Sequence, residues 1–218
     1  MTYQATVVIT TYNQARWVRD AVNAVLAQTV PCEVVVCDDG STDKTLEVLQ
    51  AYGERVQVQS WPHLGCPSRG RNYGAAVATT PYVAYLDADD LIYPTKVQKQ
   101  INALVHSGAG WALCDATVEG YIHNGRPLVA PGAAGAQVER LRQHNVIPTA
   151  VPLLRTAVAR RYQFQTILAP PPGGPYEDWY YWQAVAADEV AAYVPEVLAV
   201  YRWVANGRSQ RGTRPGNS

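Results

Sequence analysis

The sequence predicts an α/β protein whose central sheet is largely parallel and carries helices on both faces. Over about the first hundred residues, short apolar runs of strand length alternate with segments whose apolar residues recur at helical spacing. Strands that alternate with helices require crossover connections, and these connections place neighbouring strands parallel. In such sheets, ligands bind at the carboxyl ends of the strands.

The elements of this first part follow one another in order. The predicted strands are 6–10, 33–37, 56–60 and 82–86, and the predicted helices are 15–27, 46–52, 68–78 and 95–106. In the first helix, the apolar residues between Val18 and Leu26 follow the i, i+3, i+4 rhythm of one apolar face. Polar residues at 10–13, 38–39 and 87–90 each follow a strand, so we expect them to face one crevice.

The second half of the chain is less regular. Strands are predicted at 111–121 and 150–154, a tight hairpin at 123–126 from its Asn-Gly pair, and helices at 138–144 and from about 177 to 187. The loop 169–175, rich in Pro and Gly, is either a stiff connection or a lid over a site. The tail 205–218 is predicted to be mobile. The sequence shows no internal repeat and no domain linker.

The composition argues against several classes of function. Lys plus Arg and Asp plus Glu number 18 each, so no overall field attracts nucleic acid or an anionic membrane. No apolar run is long enough for a transmembrane segment, and the first residues do not resemble a signal peptide. The four cysteines lack zinc-binding spacing, which favours buried reduced thiols over a zinc site or disulfides. These features favour a cytoplasmic enzyme, either free or peripheral to the membrane.

An acidic cluster directly follows the predicted strand 82–86. Asp87, Asp89 and Asp90 place three carboxylates in four residues, and such groups repel one another and resist burial. A cation would offset this cost, and hard oxygen ligands favour Mg²⁺ or Mn²⁺. The alternative is an acidic turn in which Asp89 or Asp90 caps the next helix.

Four motifs in order carry a resemblance to a known family. They are Val8–Ala15 (VITTYNQA), Val35–Thr45 (VVCDDGSTDKT), Arg69–Ala76 (RGRNYGAA) and Leu86–Asp90 (LDADD), and the pair Glu177-Asp178 follows them. The set resembles the family 2 glycosyltransferases of the GT-A fold, with their DDGSTD, ARNxG and DxD motifs. The resemblance implies a mixed, mostly parallel sheet flanked by helices in a single domain 1–218. It also implies a nucleotide-binding half at 1–107 and an acceptor-binding half at 108–204.

The resemblance further implies an inverting, metal-assisted transfer of a sugar from a nucleoside diphosphate sugar to an acceptor hydroxyl. It favours uridine diphosphate in the donor, and a carbohydrate or lipid-linked acceptor. The implied nucleotide contacts are Thr10, Tyr12, Asp39, Arg71 and Asp87, the ligand of Mn²⁺ or Mg²⁺ is Asp89, and the general base is Asp178. Candidate contacts of the diphosphate or acceptor are Glu177, Trp179, Arg202 and Arg208.

Each assignment has a structural alternative in the residues themselves. Asp39 with the following residues forms a good turn and helix start. Arg71 fits a solvated helix position, and Trp179 and Trp182 fit a core. Glu177 and Asp178 would also favour the positive end of the helix that follows them.

The chain departs from the family pattern at two points. It lacks the Gln of the QxxRW motif of processive synthases, which favours a non-processive enzyme, and no histidine follows His144. A nucleotidyltransferase would open with a Gly-rich loop after the first strand, and Thr11–Ala15 is not one. A non-catalytic protein that binds sugar nucleotides or carbohydrates remains the other alternative.

Overall fold

The described residues form an eight-stranded sheet with helices packed against it. This computed structural model describes residues 2–120, 134–169 and 176–203, with the backbone alone at 134–137. The strands are β1 (Ala5–Thr11), β2 (Cys32–Asp38), β3 (Gln57–Ser60), β4 (Tyr82–Asp87), β5 (Leu91–Ile92), β6 (Trp111–Glu119), β7 (Leu153–Arg155) and β8 (Ala191–Arg202). The helices are α1 (Val18–Leu26), α2 (Thr45–Gln50), α3 (Ser68–Val77), α4 (Lys96–Ser107), α5 (Ala134–Leu141), α6 (Thr156–Arg161) and α7 (Glu177–Asp188).

The strand order is β3-β2-β1-β4-β7-β6-β8-β5. The pairs β1–β2, β1–β4, β2–β3 and β6–β8 are parallel, whereas β7 pairs antiparallel with β4 and β6, and β5 with β8. Every residue of the central strand β1 is buried, as expected for a strand covered on both faces. The prediction of a mixed, mostly parallel sheet flanked by helices is therefore confirmed.

Helix α3 lies unusually close to β1, and this closeness places its first turns at the strand ends. A Cβ built on Gly74 would lie 2.3 Å from Val8 Cγ1, and one on Gly70 would lie 2.7 Å from Cys37 Cβ. Only residues without a side chain fit there. The glycines of the ARNxG-like motif thus serve the packing of α3, and this packing brings Arg71 to the carboxyl ends of β1 and β4.

Several elements differ from the predicted ones. Helix α1 begins at Val18 and not at residue 15, because residues 14–17 form a turn in which the Gln14 N–H donates to Thr45 Oγ1 and the Ala15 N–H to Asp43 Oδ2. The predicted helix 138–144 lies at α5, and the predicted strand 150–154 is the shorter β7. The hairpin at 123–126, most of the loop 169–175 and the tail from 205 lie outside the described residues.

Three elements, β5, α6 and β8, were not predicted from the sequence. β8 contains Pro195, which has no N–H to donate to a neighbouring strand. The pairing with β6 jumps from Cys114–Val194 to Asp115–Val197, so a bulge accommodates the proline.

The state of the cysteines and the length of the helices can be compared with the predictions. All four cysteines are free and buried, as predicted. Among the helices that the structure describes, none is long and apolar enough to cross a membrane.

Candidate active site

The polar residues that follow β1, β2 and β4 meet at one edge of the sheet. Because these strands are parallel neighbours, their carboxyl ends lie side by side. The Thr10 hydroxyl donates to Asp87 Oδ1 over 2.7 Å, and the Asp39 N–H donates to the Thr11 carbonyl over 2.9 Å. The structure therefore brings together the strand-end residues that the sequence placed at one crevice.

The carboxylate of Asp38 stabilises the turn that follows β2. Asp38 is fully buried, and its Oδ2 accepts hydrogen bonds from the N–H groups of Gly40 (3.1 Å) and Ser41 (3.0 Å). Asn13 Oδ1 accepts from the Thr42 N–H over 2.7 Å. Asp38 and Asn13 thus hold the turn, a role that the sequence analysis had considered only for Asp39.

Asp39 and Tyr12 contact a loop that follows β3. The Asp39 carboxylate accepts hydrogen bonds from the N–H groups of Leu64 (3.0 Å) and Gly65 (2.8 Å) and from Arg69 Nη2 (2.8 Å). His63 Nδ1 lies 2.9 Å from Asp39 Oδ2. The His63 ring stacks on Tyr12 with 3.8 Å between ring centroids and 17° between planes.

The turn after β2 contains Gly40, whose φ of +78° lies in the left-handed region that favours glycine. A Cβ on this residue would lie 2.6 Å from the His63 nitrogen, so the close approach of the two loops also depends on it. His63 was not predicted as a site residue. The one feature of the sequence that could have indicated this role is its position just after the third predicted strand.

Arg71 is buried and pairs with two carboxylates, so it is not a solvated helix residue. Only 3% of its side chain is exposed. Its Nη2 donates to Asp87 Oδ1 over 2.8 Å and its Nη1 to Glu177 Oε1 over 2.9 Å. A third, longer contact of 3.3 Å joins Nη2 to the hydroxyl of Thr149. Burial disfavours the charged guanidinium, but Asp87 and Glu177 outweigh this effect and raise the Arg71 pKa.

Asp178 lies beside this pair in the first turn of α7. Its Oδ2 accepts a hydrogen bond from Asn145 Nδ2 over 2.9 Å. Loss of hydration raises the Asp178 pKa to about 6, while Arg71 opposes the rise and Glu177 adds to it. A carboxylate with a pKa near the working pH suits general base catalysis. Asn145 was not a predicted site residue.

Asp89 and Asp90 sit at the end of β4. Burial, and then the charge of Asp87, raise the pKa of Asp89 to about 6. Asp90 is buried, its Oδ1 accepts from the Arg202 N–H over 2.9 Å, and burial raises its pKa well above the ordinary value. Carboxylates that raise one another's pKa values favour a nearby cation.

The donor atoms at Asp89 fit Mg²⁺ or Mn²⁺, since both prefer oxygen ligands. Within the ranges that the structure describes, no group of three His, Cys, Asp or Glu side chains is placed to hold a metal ion. A cation at Asp89 would therefore take most of its ligands from phosphates and water, as Mg²⁺ commonly does.

Those of the remaining predicted contacts that the structure describes bind other parts of the protein. The Trp179 indole N–H donates to the Leu141 carbonyl over 2.6 Å, and Trp182 is fully buried in the core. Arg202 Nε donates to Glu119 Oε2 over 2.9 Å, and its guanidinium carbon lies 4.9 Å from the Trp17 ring centroid. Arg208 lies outside the described residues. The assignments of ligand contacts stay predictions.

Comparisons with known proteins identify the family and the fold. The profile described as Glycosyl transferase family 2 matches residues 6–158. An uncharacterised glycosyltransferase of Rickettsia typhi is 38% identical over 99 residues, which are 45% of this chain and 31% of that protein. The chain therefore spans under a third of that relative.

Two solved structures have the same fold. Staphylococcus aureus TarS 1–349 in complex with UDP-GlcNAc has a TM-score of 0.74 and 16% identity, over 97% of this chain and 62% of that one. The mannosyltransferase PcManGT from Pyrobaculum calidifontis, in complex with GDP-Man and Mn²⁺, has a TM-score of 0.64 and 19% identity, over 91% of this chain and 57% of that one. With the matching profile and this architecture, the chain belongs to glycosyltransferase family 2 and has the GT-A fold.

Proposed function

We propose that the protein transfers a sugar from a nucleoside diphosphate sugar to an acceptor hydroxyl with inversion at the anomeric carbon. The observation that carries this proposal is the position of Asp178. It is a carboxylate with a pKa of about 6 beside Arg71, and Arg71 pairs with Asp87 at the strand ends. A proton acceptor thus lies next to the edge at which GT-A proteins carry their DxD motif.

The donor class rests on the family and on the two similar structures. TarS was solved with UDP-GlcNAc, and PcManGT with GDP-Man and Mn²⁺. We propose a nucleoside diphosphate sugar for this chain, with uridine diphosphate as the first nucleotide to test. Tyr12 and Asp39 would bind the base or ribose, and Asp89 would hold the cation that accompanies the diphosphate.

The proposed reaction is a single displacement at the anomeric carbon of the donor sugar. Asp178 accepts the proton of the acceptor hydroxyl while the hydroxyl oxygen attacks the anomeric carbon. The bond between the sugar and the phosphate breaks as the new bond forms, and the nucleoside diphosphate leaves with the electron pair. When bound, a divalent cation neutralises the charge on the leaving diphosphate. A single displacement of this kind inverts the anomeric configuration.

The test separates a transferase from a protein that only binds sugar nucleotides. Asp178→Asn should retain binding of UDP and Mn²⁺ in calorimetry but lose about 10²–10⁴-fold in sugar transfer, because it lacks the base. Asp188→Asn is the matched control, since Asp188 is an exposed residue of the same helix and its partner Tyr162 can still donate to an amide oxygen. Transfer by Asp178→Asn at the rate of the control would refute the assignment. Binding without transfer or donor hydrolysis by the wild type, across UDP- and GDP-sugars, would favour the binding protein.

A further inference from the structure

Arg71 connects two parts of the chain that are far apart in sequence. It pairs with Asp87, 16 residues away at the end of β4, and with Glu177, 106 residues away at the start of α7. The side chains of Arg71 and Glu177 are 3% and 4% exposed. The Thr10 hydroxyl also donates to the Asp87 oxygen that Arg71 contacts. The first turn of α7 is thus tied to the strand ends by a hydrogen-bonded charge bridge, which is buried at Arg71 and Glu177 and half-buried at Asp87.

Helix α7 begins at Glu177. Its N-cap residue, Tyr176, makes no side-chain capping hydrogen bond. A Glu in a first turn interacts favourably with the positive end of the helix even when its side chain points to solvent. Glu177 is instead buried against Arg71, and Asp178 follows it directly. The contact between Glu177 and Arg71 therefore acts one residue away from the Asp178 carboxylate.

We propose that Glu177 is a positioning residue that acts through Arg71 to hold the first turn of α7, and with it the carboxylate of Asp178, against the carboxyl end of β4. This inference rests on the proposed role of Asp178 as the base. It also gives Glu177 a role different from contact with the diphosphate or the acceptor. A displacement of about 1 Å at a reacting group can cost on the order of a hundredfold in rate. A contact that prevents such a displacement would therefore protect the rate of sugar transfer.

Among the described residues, four groups act on Asp178 from the surrounding elements. They are Arg71 from α3, Asp87 from β4, Glu177 from α7 itself and Asn145 from the segment after α5. Removal of the Glu177 charge leaves Arg71 less compensated, and both changes stabilise the ionised form of Asp178. A variant without this charge should therefore titrate its base at lower pH.

Glu177→Gln tests the inference because it keeps the shape of the side chain and removes its charge. We expect the kcat for sugar transfer to fall by about tenfold to a hundredfold, while the Kd for UDP with Mn²⁺ stays within about twofold. The acid limb of kcat against pH should move below the wild-type value. Glu47→Gln is the matched control, since Glu47 is an exposed residue in the first turn of α2.

The outcomes separate this inference from the proposed function. Wild-type kcat and an unmoved acid limb in Glu177→Gln would overturn the inference, even if Asp178→Asn is inactive. Parallel loss of UDP affinity and kcat would also overturn it, because it would indicate a donor contact. Failure of Asp178→Asn to lose transfer would instead refute the assignment of Asp178 as the base, and the absence of transfer by the wild type would refute the proposed function. If Glu177→Gln does not fold, Glu177→Asp decides: it keeps the charge, so kcat should fall while the acid limb stays in place, and an unchanged kcat would overturn the inference.

Discussion

The rate of sugar transfer should fall about tenfold for each pH unit below about 6. Burial raises the pKa of Asp178 to about 6, and only the ionised carboxylate can accept the proton of the acceptor. Roughly one tenth of the enzyme would carry the active base at about pH 5, and roughly one hundredth at about pH 4. An exposed aspartate, with a pKa near 3.9, would leave the rate almost unchanged at about pH 5.

A second carboxyl group titrates in the same range and must be separated from the base. The pKa of Asp89 is also raised to about 6, by burial and by the charge of Asp87. A cation binds only the ionised form of its ligand, so the two equilibria are linked. Tenfold more Mn²⁺ should move an acid limb due to Asp89 by about one pH unit to lower pH. A limb due to Asp178 should stay where it is at saturating Mn²⁺.

Initial rates with saturating donor, at two Mn²⁺ concentrations about a hundredfold apart, distinguish these cases. Asn145→Ala removes the hydrogen bond to Asp178 and should move the limb to higher pH, because that bond stabilises the ionised form. Asn102→Ala, at an exposed position of α4, is the control. A limb near pH 4 at saturating Mn²⁺, or one that keeps moving with Mn²⁺, would refute its assignment to Asp178.

Three further predictions concern the nucleotide pocket and the core. Tyr12→Ala should weaken UDP binding by about 1–3 kcal/mol in calorimetry if the base stacks on the ring, and an unchanged Kd would contradict that role. Gly74→Ala should destabilise the protein by about 1–3 kcal/mol in urea unfolding, since the new Cβ would meet Val8, and Val8→Ala in the same chain should recover part of the loss. Burial lowers the pKa of Lys96, so the contribution of Lys96 to stability should fall as the pH drops below about 10.5; Lys96→Met should have a higher Tm than the wild type at about pH 7, and this difference should narrow as the pH rises towards about 10.5.

The strand ends were predictable because their signals are local. A continuous apolar run followed by polar residues marks both a buried strand and the edge at which it stops. Thr10, Asp39 and Asp87 could therefore be assigned to one crevice from the sequence alone. The parallel arrangement follows from the alternation with helices, and the observed pairing of β1 with β2 and β4 confirms it.

The contacts that join distant segments could not be predicted in the same way. No local pattern shows that Arg71 faces Glu177, or that Asn145 donates to Asp178. These pairings depend on how α3 and α7 pack, and α3 reaches its position because Gly74 lets it approach β1. The long strand β8 was missed for a related reason: Pro195 disrupts its pattern, and the bulge that accommodates the proline depends on the partner strand β6.

The charge bridge also gives the buried Arg71 a structural role at this place. A pair of buried charges contributes little net stability compared with apolar residues, but the loss of one partner leaves a buried charge uncompensated, at a cost of about 3–5 kcal/mol. Displacement of α7 from β4 would separate Arg71 from Glu177 and would meet that cost at once. An apolar contact between the same elements would tolerate sliding, because dispersion forces are not directional. The bridge therefore restricts the distance between the strand ends and the first turn of α7 more strictly than packing alone would, and in the proposed mechanism proton removal from the acceptor depends on this distance.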